Sequence, residues 1–296
     1  MFAIGRKDEL ASLGQLGRFA GFTGGAAAGD GFYAAGAFKP LCPLRPFEQI
    51  VRAWVTTGEL IGACTRGGKM PIIWMSVWLE GAFARNASFI EHSNTLEPWS
   101  PPFFHKDRYI PPLPRGHLGG EFLAELERIL TVIGAQQAAL AKAGQWMAEA
   151  KKKGKRVYAI LVGHSYPEIL ERPKDSDYPI EWGHSVSDLT KAVPAGYGAG
   201  DVVMHLGYSP VNVAHVQSIL KRGIRFVYTT PYGRPKTLKS HPNLIWLDSP
   251  WRPTDQSIDI PAYSARVLPM SSSAGSAVYF SMLCEMAERM GWKTRQ

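Results

Sequence analysis

The chain has 296 residues, of which 45% are hydrophobic, and 33 Lys and Arg against 25 Asp and Glu give a net charge of +8. This composition excludes a wholly disordered chain, and no apolar run approaches the ~20 residues that a membrane-spanning helix needs. The basic residues are scattered, and the three cysteines, Cys42, Cys64 and Cys284, lie far apart. We therefore expect a cytoplasmic protein with no nucleic-acid or membrane partner, no disulfide framework and no metal site.

Residues 1–38 form a segment of their own, which includes the small-residue tract at 22–29. We interpret 1–38 as a flexible leader. Acidic residues follow Arg6 and Lys7, and glycine and polar residues interrupt the stretch after them. An export signal would have to be degenerate, and this alternative stays open.

Residues 39–118 are predicted to form an N-terminal extension that packs on the main domain. An apolar stripe predicts a helix over Pro46–Arg66, and the run Pro71–Leu79 is typical of a buried strand. Six prolines between residues 93 and 120 predict an extended connector, because proline removes a backbone donor.

Residues 119–296 alternate between helical and strand patterns. A long amphipathic helix is predicted over Glu121–Lys153, with further helices over Asn212–Arg222 and Ala274–Met290. Apolar runs predict strands at Arg156–Val162, Asp201–Leu206, Ile224–Thr229, Asn243–Leu247 and Ala265–Leu268. This order predicts an α/β fold with a doubly wound, mainly parallel sheet flanked by helices, preceded by the helical and strand extension.

Small hydroxyl residues and glycines follow the predicted strands and precede the predicted helices. The candidate residues in these loops are Gly163 and Ser165; Gly207, Tyr208, Ser209 and Asn212; Thr229 and Thr230; and Ser271, Ser272 and Ser273. Helix N-termini attract anions, and short hydroxyls add donors, so these loops could together form a phosphate cradle. Ordinary helix N-capping would use the same residue types and remains an alternative.

Several nucleotide and hydrolase motifs are absent or incomplete. The sequence has no P-loop and no Gly-x-Gly-x-x-Gly after the first strand, so we expect neither ATP nor NAD and no other cofactor. A serine-hydrolase elbow is half matched around Ser165, which would then be the nucleophile. That alternative is less favoured than an anion site.

Residues 119–293 resemble the sugar isomerase (SIS) domain family, which binds phosphosugars. The resemblance lies in the order of a long helix, a strand ending in Gly163-His-Ser165, the Gly200-Asp201 strand ending at Ser209, and the segment Lys221–Thr230. The Gly-His-Ser form is similar to a subgroup described as phosphoheptose isomerase-like. Where the family commonly has Ser-x-Ser-Gly, this chain has Gly207-Tyr-Ser-Pro210.

The resemblance implies that 119–296 is a phosphosugar-binding domain in which Ser165, Ser209 and the Ser271–Ser273 group contact the ligand. It also implies a homodimer or homotetramer. Aldose–ketose isomerisation needs a base and an acid, for which His164, Glu168 and His184 are the candidates. A sugar-phosphate isomerase is thus one hypothesis, and a non-catalytic phosphosugar-binding or regulatory module is the other. His205, inside a predicted strand, is expected to be a core residue.

Overall fold

The computed structural model describes residues 3–4, 22–23, 33–34, 44–77, 79–89, 103–162, 181–184, 189–249, 251–252, 254–291 and 294–295. The chain divides into two compact units. The first comprises Met1–Arg52, Arg128–Pro250 and Ser271–Gln296, and the second comprises Ala53–Glu127 and Trp251–Met270.

The described residues form eleven strands and seven helices. The strands are β1 (Ala3–Ile4), β2 (Phe22–Thr23), β3 (Tyr33–Ala34), β4 (Val157–Val162), β5 (Glu181–His184), β6 (Val202–Gly207), β7 (Arg225–Thr230), β8 (Leu244–Asp248), β9 (Gln256–Ile258), β10 (Val267–Pro269) and β11 (Thr294–Arg295). The helices are α1 (Leu44–Arg66), α2 (Ala82–Ala87), α3 (His117–Gly134), α4 (Gln137–Lys152), α5 (Leu189–Ala192), α6 (Val213–Lys221) and α7 (Ser271–Arg289). In the segment predicted to be a leader, β1 pairs with β2, and β3 pairs with β11 near the other end of the sequence.

The first unit is built on a five-stranded sheet in the order β5-β4-β6-β7-β8, with every neighbouring pair parallel. All six residues of β4 and all six of β6 are buried, which explains why these strands read as unbroken apolar runs. Helices α4 and α7 contact each other and the sheet, and α6 contacts β7. The predicted α/β fold with a parallel sheet flanked by helices is confirmed.

The order of the strands places a topological switch between β4 and β6. After β4 the chain adds β5 on one side of it, and β6, β7 and β8 follow on the other side. In open α/β sheets, ligands bind at the carboxyl ends of the strands that flank such a switch. The carboxyl ends of β4 at Val162 and of β6 at Gly207 are therefore the favoured position for a site.

Asp201 fixes the start of β6 beside β4. Its carboxylate accepts hydrogen bonds from the backbone N–H of Arg156 at 2.9 Å and of Gly198 at 2.8 Å. Burial alone would raise the pKa of the Asp201 carboxyl, but these hydrogen bonds and the nearby Arg156 charge lower it below its usual value. The Gly-Asp pair before this strand thus has a structural role.

Helices α4 and α7 meet so closely at Gly144 that no side chain fits there. A Cβ built on Gly144 would overlap the Cβ of Glu285 and would lie 2.9 Å from the Met282 carbonyl oxygen and the Met286 amide nitrogen. Two of these atoms belong to the backbone, so they cannot move without moving the helix. Gly144 therefore sets the separation of the two helices.

The single helix predicted over Glu121–Lys153 is wrong, because the chain forms α3 and α4 with a turn at residues 135–136. Gln136 in this turn binds the backbone of Asp248 at the end of β8. Its amide nitrogen donates to the Asp248 carbonyl oxygen at 2.7 Å, and its amide oxygen accepts from the Asp248 N–H at 2.6 Å. This contact with a distant strand stabilises the turn.

Two further strands differ from the predictions. Glu181–His184, which no predicted strand includes, forms β5 at the edge of the sheet, where Leu161 pairs with His184. The strand predicted at Ala265–Leu268 does not join the parallel sheet. In its place β10 pairs antiparallel with β9, as a short hairpin in the second unit.

The buried strand predicted at Pro71–Leu79 is also wrong. Only Pro71 makes a bridge, to Phe104, and no other described residue of this segment belongs to a strand. Asn86 supplies partners that a neighbouring strand would otherwise supply: its side chain accepts from the Met75 N–H at 2.9 Å and donates to the Met75 carbonyl at 2.8 Å. Side-chain hydrogen bonds therefore replace a ladder here.

Tyr263 links three segments of the second unit through hydrogen bonds of its hydroxyl group. Its hydroxyl oxygen accepts from the Ile73 N–H at 3.1 Å and from Arg85 at 3.0 Å, which occupies both lone pairs. The hydroxyl hydrogen is then donated to Nε2 of His105 at 2.8 Å. Burial, with the charges of Arg108 and Arg85, lowers the pKa of His105, which suits this accepting role.

We predict that Gly144→Ala lowers the free energy of unfolding by about 1–3 kcal/mol, because the added methyl group pushes α4 away from α7. Chemical denaturation measures the change. Gly134→Ala is the matched control, since a Cβ at Gly134 meets nothing within 4 Å, and it should be neutral or slightly stabilising. Equal effects of the two substitutions would contradict the close approach at Gly144.

Candidate functional site

The structure describes only part of the predicted site. Gly163, His164, Ser165 and Glu168 lie outside the described residues, and their roles stay predictions. The backbone of His184 ends β5, next to β4. The other predicted site residues belong to described parts of the first unit, where they end β6 or β7, follow β6, or lie at the N-terminus of α7.

Strand β6 ends with a glycine that the sheet requires. A Cβ on Gly207 would lie 2.6 Å from the Cβ of Val162 and 3.1 Å from the Val162 carbonyl oxygen. Gly207 therefore allows the carboxyl ends of β4 and β6 to approach each other at the switch of the sheet. Tyr208, which follows, is buried, and Ser209 is half-buried.

Ser209 and His205 form a polar pair at the carboxyl end of β6. The Oγ of Ser209 lies 3.4 Å from Nε2 of His205, and Nδ1 of His205 lies 3.3 Å from the carbonyl oxygen of Thr229. His205 is 1% exposed, as expected of a core residue. Its contact with Ser209 was missed, although a histidine four residues before a strand-end serine could have suggested it.

Aromatic rings cover His205 across three strands. Its ring stacks on Tyr228 with the centroids 4.4 Å apart, and Tyr228 stacks on Trp246 at 5.0 Å. Burial is the main cause that lowers the pKa of His205 to about 4, against a smaller opposing effect of its backbone hydrogen bonds. Burial likewise raises the pKa of the Tyr228 phenol. Both side chains are therefore neutral near pH 7.

Three of the predicted ligand-binding side chains already have partners within the protein. The Asn212 side chain caps α6 by accepting from the His215 N–H at 3.2 Å. The Thr230 hydroxyl donates to the Ser209 carbonyl at 3.1 Å, and the Thr229 hydroxyl is hydrogen-bonded to Ser249. For these residues the alternative of capping and structural bonding describes the structure better than ligand binding does.

The serines at α7 differ from this pattern. Ser271, Ser272 and Ser273 form the first turn of the helix itself, whereas the sequence placed them in a loop ahead of it. All three are fully buried. The hydroxyl groups of Ser272 and Ser273 have no hydrogen-bond partner among the described residues, and the same is true of Ser276, which is 1% exposed.

Ser276 was missed by the sequence analysis, which stopped at Ser273. Residues three and four apart lie on the same side of a helix, so Ser276 is a neighbour of both Ser272 and Ser273. Leaving a buried hydroxyl unpaired costs about 1–3 kcal/mol, and such groups are uncommon in native proteins. Three of them within five residues at a helix N-terminus indicate a binding position for an acceptor-rich group.

The described residues show no group of three His, Cys, Asp or Glu side chains that could hold a metal ion. Among the described helices, none has the length and apolar character needed to span a membrane.

We predict that acid weakens the fold through His205. The unfolded chain takes up a proton near pH 6.5, whereas the buried imidazole resists it until about pH 4, so stability present above pH 6.5 is lost as the pH falls towards 4. From pH 7 to pH 4 the wild type should lose roughly 3 kcal/mol of unfolding free energy relative to His205→Phe. A difference that does not depend on pH would contradict the burial of a neutral imidazole.

Comparisons with known proteins do not assign the chain to a family. No protein-family model matches the chain, and no curated protein matches it. Among solved structures, the chain is similar to the C-terminal domain of glucosamine-fructose-6-phosphate aminotransferase from Francisella tularensis, with 12% identity and a TM-score of 0.37, over 60% of this chain and 47% of that one.

A second similar structure is RecJ in complex with Mn²⁺ from Thermus thermophilus, with 17% identity and a TM-score of 0.32. That match covers 61% of this chain and 28% of the other. The chain thus spans less than half the length of both structures, and at these TM-scores neither likeness identifies its family.

Proposed function

We propose that the chain binds a phosphorylated sugar and that the phosphate lies at the N-terminus of α7. The observation that carries the proposal is the set of three buried hydroxyl groups, on Ser272, Ser273 and Ser276, without a partner among the described residues. These hydroxyls are donors that a ligand could satisfy. A ligand that accepts these hydrogen bonds would remove the free-energy penalty of leaving the hydroxyls unpaired.

A phosphate group fits this position better than a neutral group does. The N-terminus of any α-helix carries a partial positive charge and backbone N–H groups without an intrahelical partner, both of which favour an anion, and α7 is a helix of 19 residues. Phosphate has several oxygens that accept hydrogen bonds, and it needs no acceptor from the protein because it has no hydrogen to donate when fully ionised. The small serine side chains allow it to approach the backbone closely.

The location within the sheet supports a small-molecule site in the first unit. Helix α7 contacts β6, the strand on one side of the topological switch. Ser209 follows β6, and the predicted Gly163-His164-Ser165 segment follows β4 in the sequence. Ligands of such sheets bind at the carboxyl ends of the strands, so we propose that the sugar lies there.

The proposed reaction is aldose–ketose isomerisation, with His164, Glu168 and His184 as its candidate acid and base residues. The alternative remains a module that binds the phosphosugar without converting it. Incubation with candidate sugar phosphates, followed by separation of aldose and ketose forms, distinguishes the two. Turnover that is lost in His164→Gln or Glu168→Gln supports the enzyme, and binding without turnover supports the module. The homodimer or homotetramer also stays a prediction.

The binding proposal is tested by thermal shift. The ligands are hexose 6-phosphates, pentose 5-phosphates, sedoheptulose 7-phosphate, the free sugars and inorganic phosphate. A ligand at 100 times its Kd stabilises the native state by about 2.7 kcal/mol, which raises Tm measurably. Shifts with sugar phosphates that exceed those with the free sugars support the proposal, whereas the absence of any shift overturns it.

We predict opposite effects of one substitution on stability and on binding. Ser273→Ala or Ser276→Ala removes an unpaired buried hydroxyl, so the free protein should gain about 1 kcal/mol of stability. The same change should weaken binding of the sugar phosphate by about fivefold to tenfold. Denaturation without ligand and titration with ligand measure the two quantities.

Ser281→Ala provides the control on the same helix, because the Ser281 hydroxyl donates to the Ala277 carbonyl at 2.8 Å. It should leave ligand affinity unchanged. If Ser273→Ala and Ser276→Ala keep full affinity, the phosphate does not bind at these hydroxyls.

A further inference from the structure

The hydrogen bonds around His205 have a direction that a single backbone group determines. The carbonyl oxygen of Thr229, 3.3 Å from Nδ1 of His205, can only accept a hydrogen bond. Nδ1 must therefore carry the hydrogen. Because the ring is buried and neutral, Nε2 then has no hydrogen and acts as an acceptor.

The tautomer of His205 determines which atom donates in its hydrogen bond with Ser209. The Ser209 Oγ lies 3.4 Å from Nε2, so the serine hydroxyl donates its one hydrogen to the imidazole. The Ser209 hydroxyl is left with lone pairs and no hydrogen to offer.

We propose that Ser209 contacts the ligand as a hydrogen-bond acceptor, that it therefore binds a sugar hydroxyl and not the phosphate, and that His205 is the positioning residue that fixes this polarity. The inference rests on the proposed function and deepens it, since it assigns the two ends of the ligand to different elements. A fully ionised phosphate has no hydrogen to give and is repelled by a lone pair. A hydroxyl group of the sugar supplies the hydrogen that Ser209 can accept.

His205 orients Ser209 and does not activate it as a nucleophile. In a serine-hydrolase triad the second ring nitrogen faces a carboxylate, which stabilises the imidazolium that forms. Here the second nitrogen faces the neutral Thr229 carbonyl, and the ring is buried under Tyr228. A charged imidazole would lack a counter-ion among these contacts, so the arrangement favours a fixed, neutral acceptor.

The test compares two ligands on two serine variants. The wild type, Ser209→Ala and Ser273→Ala are titrated with inorganic phosphate and with the sugar phosphate that gives the largest thermal shift in the panel above. Ser209→Ala should weaken the sugar phosphate by about fivefold to tenfold and leave inorganic phosphate unchanged, because only the sugar loses a partner. Ser273→Ala should weaken both ligands.

Two variants of His205 test the positioning role. His205→Phe keeps an aromatic ring against Tyr228 but removes the acceptor, so the Ser209 hydrogen becomes free for the ligand. The preference for the sugar phosphate over inorganic phosphate should then fall by about fivefold. His205→Gln offers an amide oxygen to Ser209 and an amide N–H to Thr229, so it should restore the preference. A loss of fold alone would weaken both ligands together and leave the preference between them unchanged.

The tautomer of His205 is measured directly by ¹⁵N NMR of the wild type, which should show hydrogen on Nδ1 and none on Nε2. Hydrogen on Nε2, or equal weakening of both ligands in Ser209→Ala, overturns the inference while the phosphosugar proposal stands. If neither ligand binds the wild type, the proposed function fails, and the assignment of Ser209 to a sugar hydroxyl fails with it.

Discussion

The contact of α4 with α7 at Gly144 is the constraint on which the first unit depends most. The two helices approach until backbone atoms of α7 lie where a side chain of α4 would be. Because α7 also contacts β6, its position relative to the sheet follows from this separation. The serines at the start of α7 are thus held on a rigid element, as a binding position requires.

The polar groups of this unit fall into two classes. Around β6 and β7 the side chains of His205, Thr229 and Thr230 have hydrogen-bond partners within the protein and so stabilise the sheet. At the start of α7 the hydroxyls of Ser272 and Ser273 are buried but have no partner among the described residues, which lowers the stability of the free protein. A site that keeps such groups is stabilised by its ligand more than a fully paired site would be.

Much of the fold could be predicted from local pattern, and the errors have tertiary causes. The strands β4, β6 and β7 are buried on both faces, so their apolar runs identified them. The break at Gln136 depends on Asp248, more than a hundred residues away, and β5 is too polar to be recognised without its partner β4. The loops of the candidate site were predicted from their hydroxyl residues, and their ligand stays a prediction. Which hydroxyls lack a partner among the described residues, as at Ser276, and which are paired, as at Thr229, depends on contacts that no spacing reveals.

The contact of Gln136 with Asp248 has a consequence for solubility. β8 is an edge strand, and Asp248 lies where its outward N–H and C=O groups could pair with a strand from another molecule. The Gln136 amide occupies both groups and so imitates one residue of a neighbouring strand. The turn that connects α3 and α4 therefore also closes one end of the sheet's open edge against intermolecular strand addition.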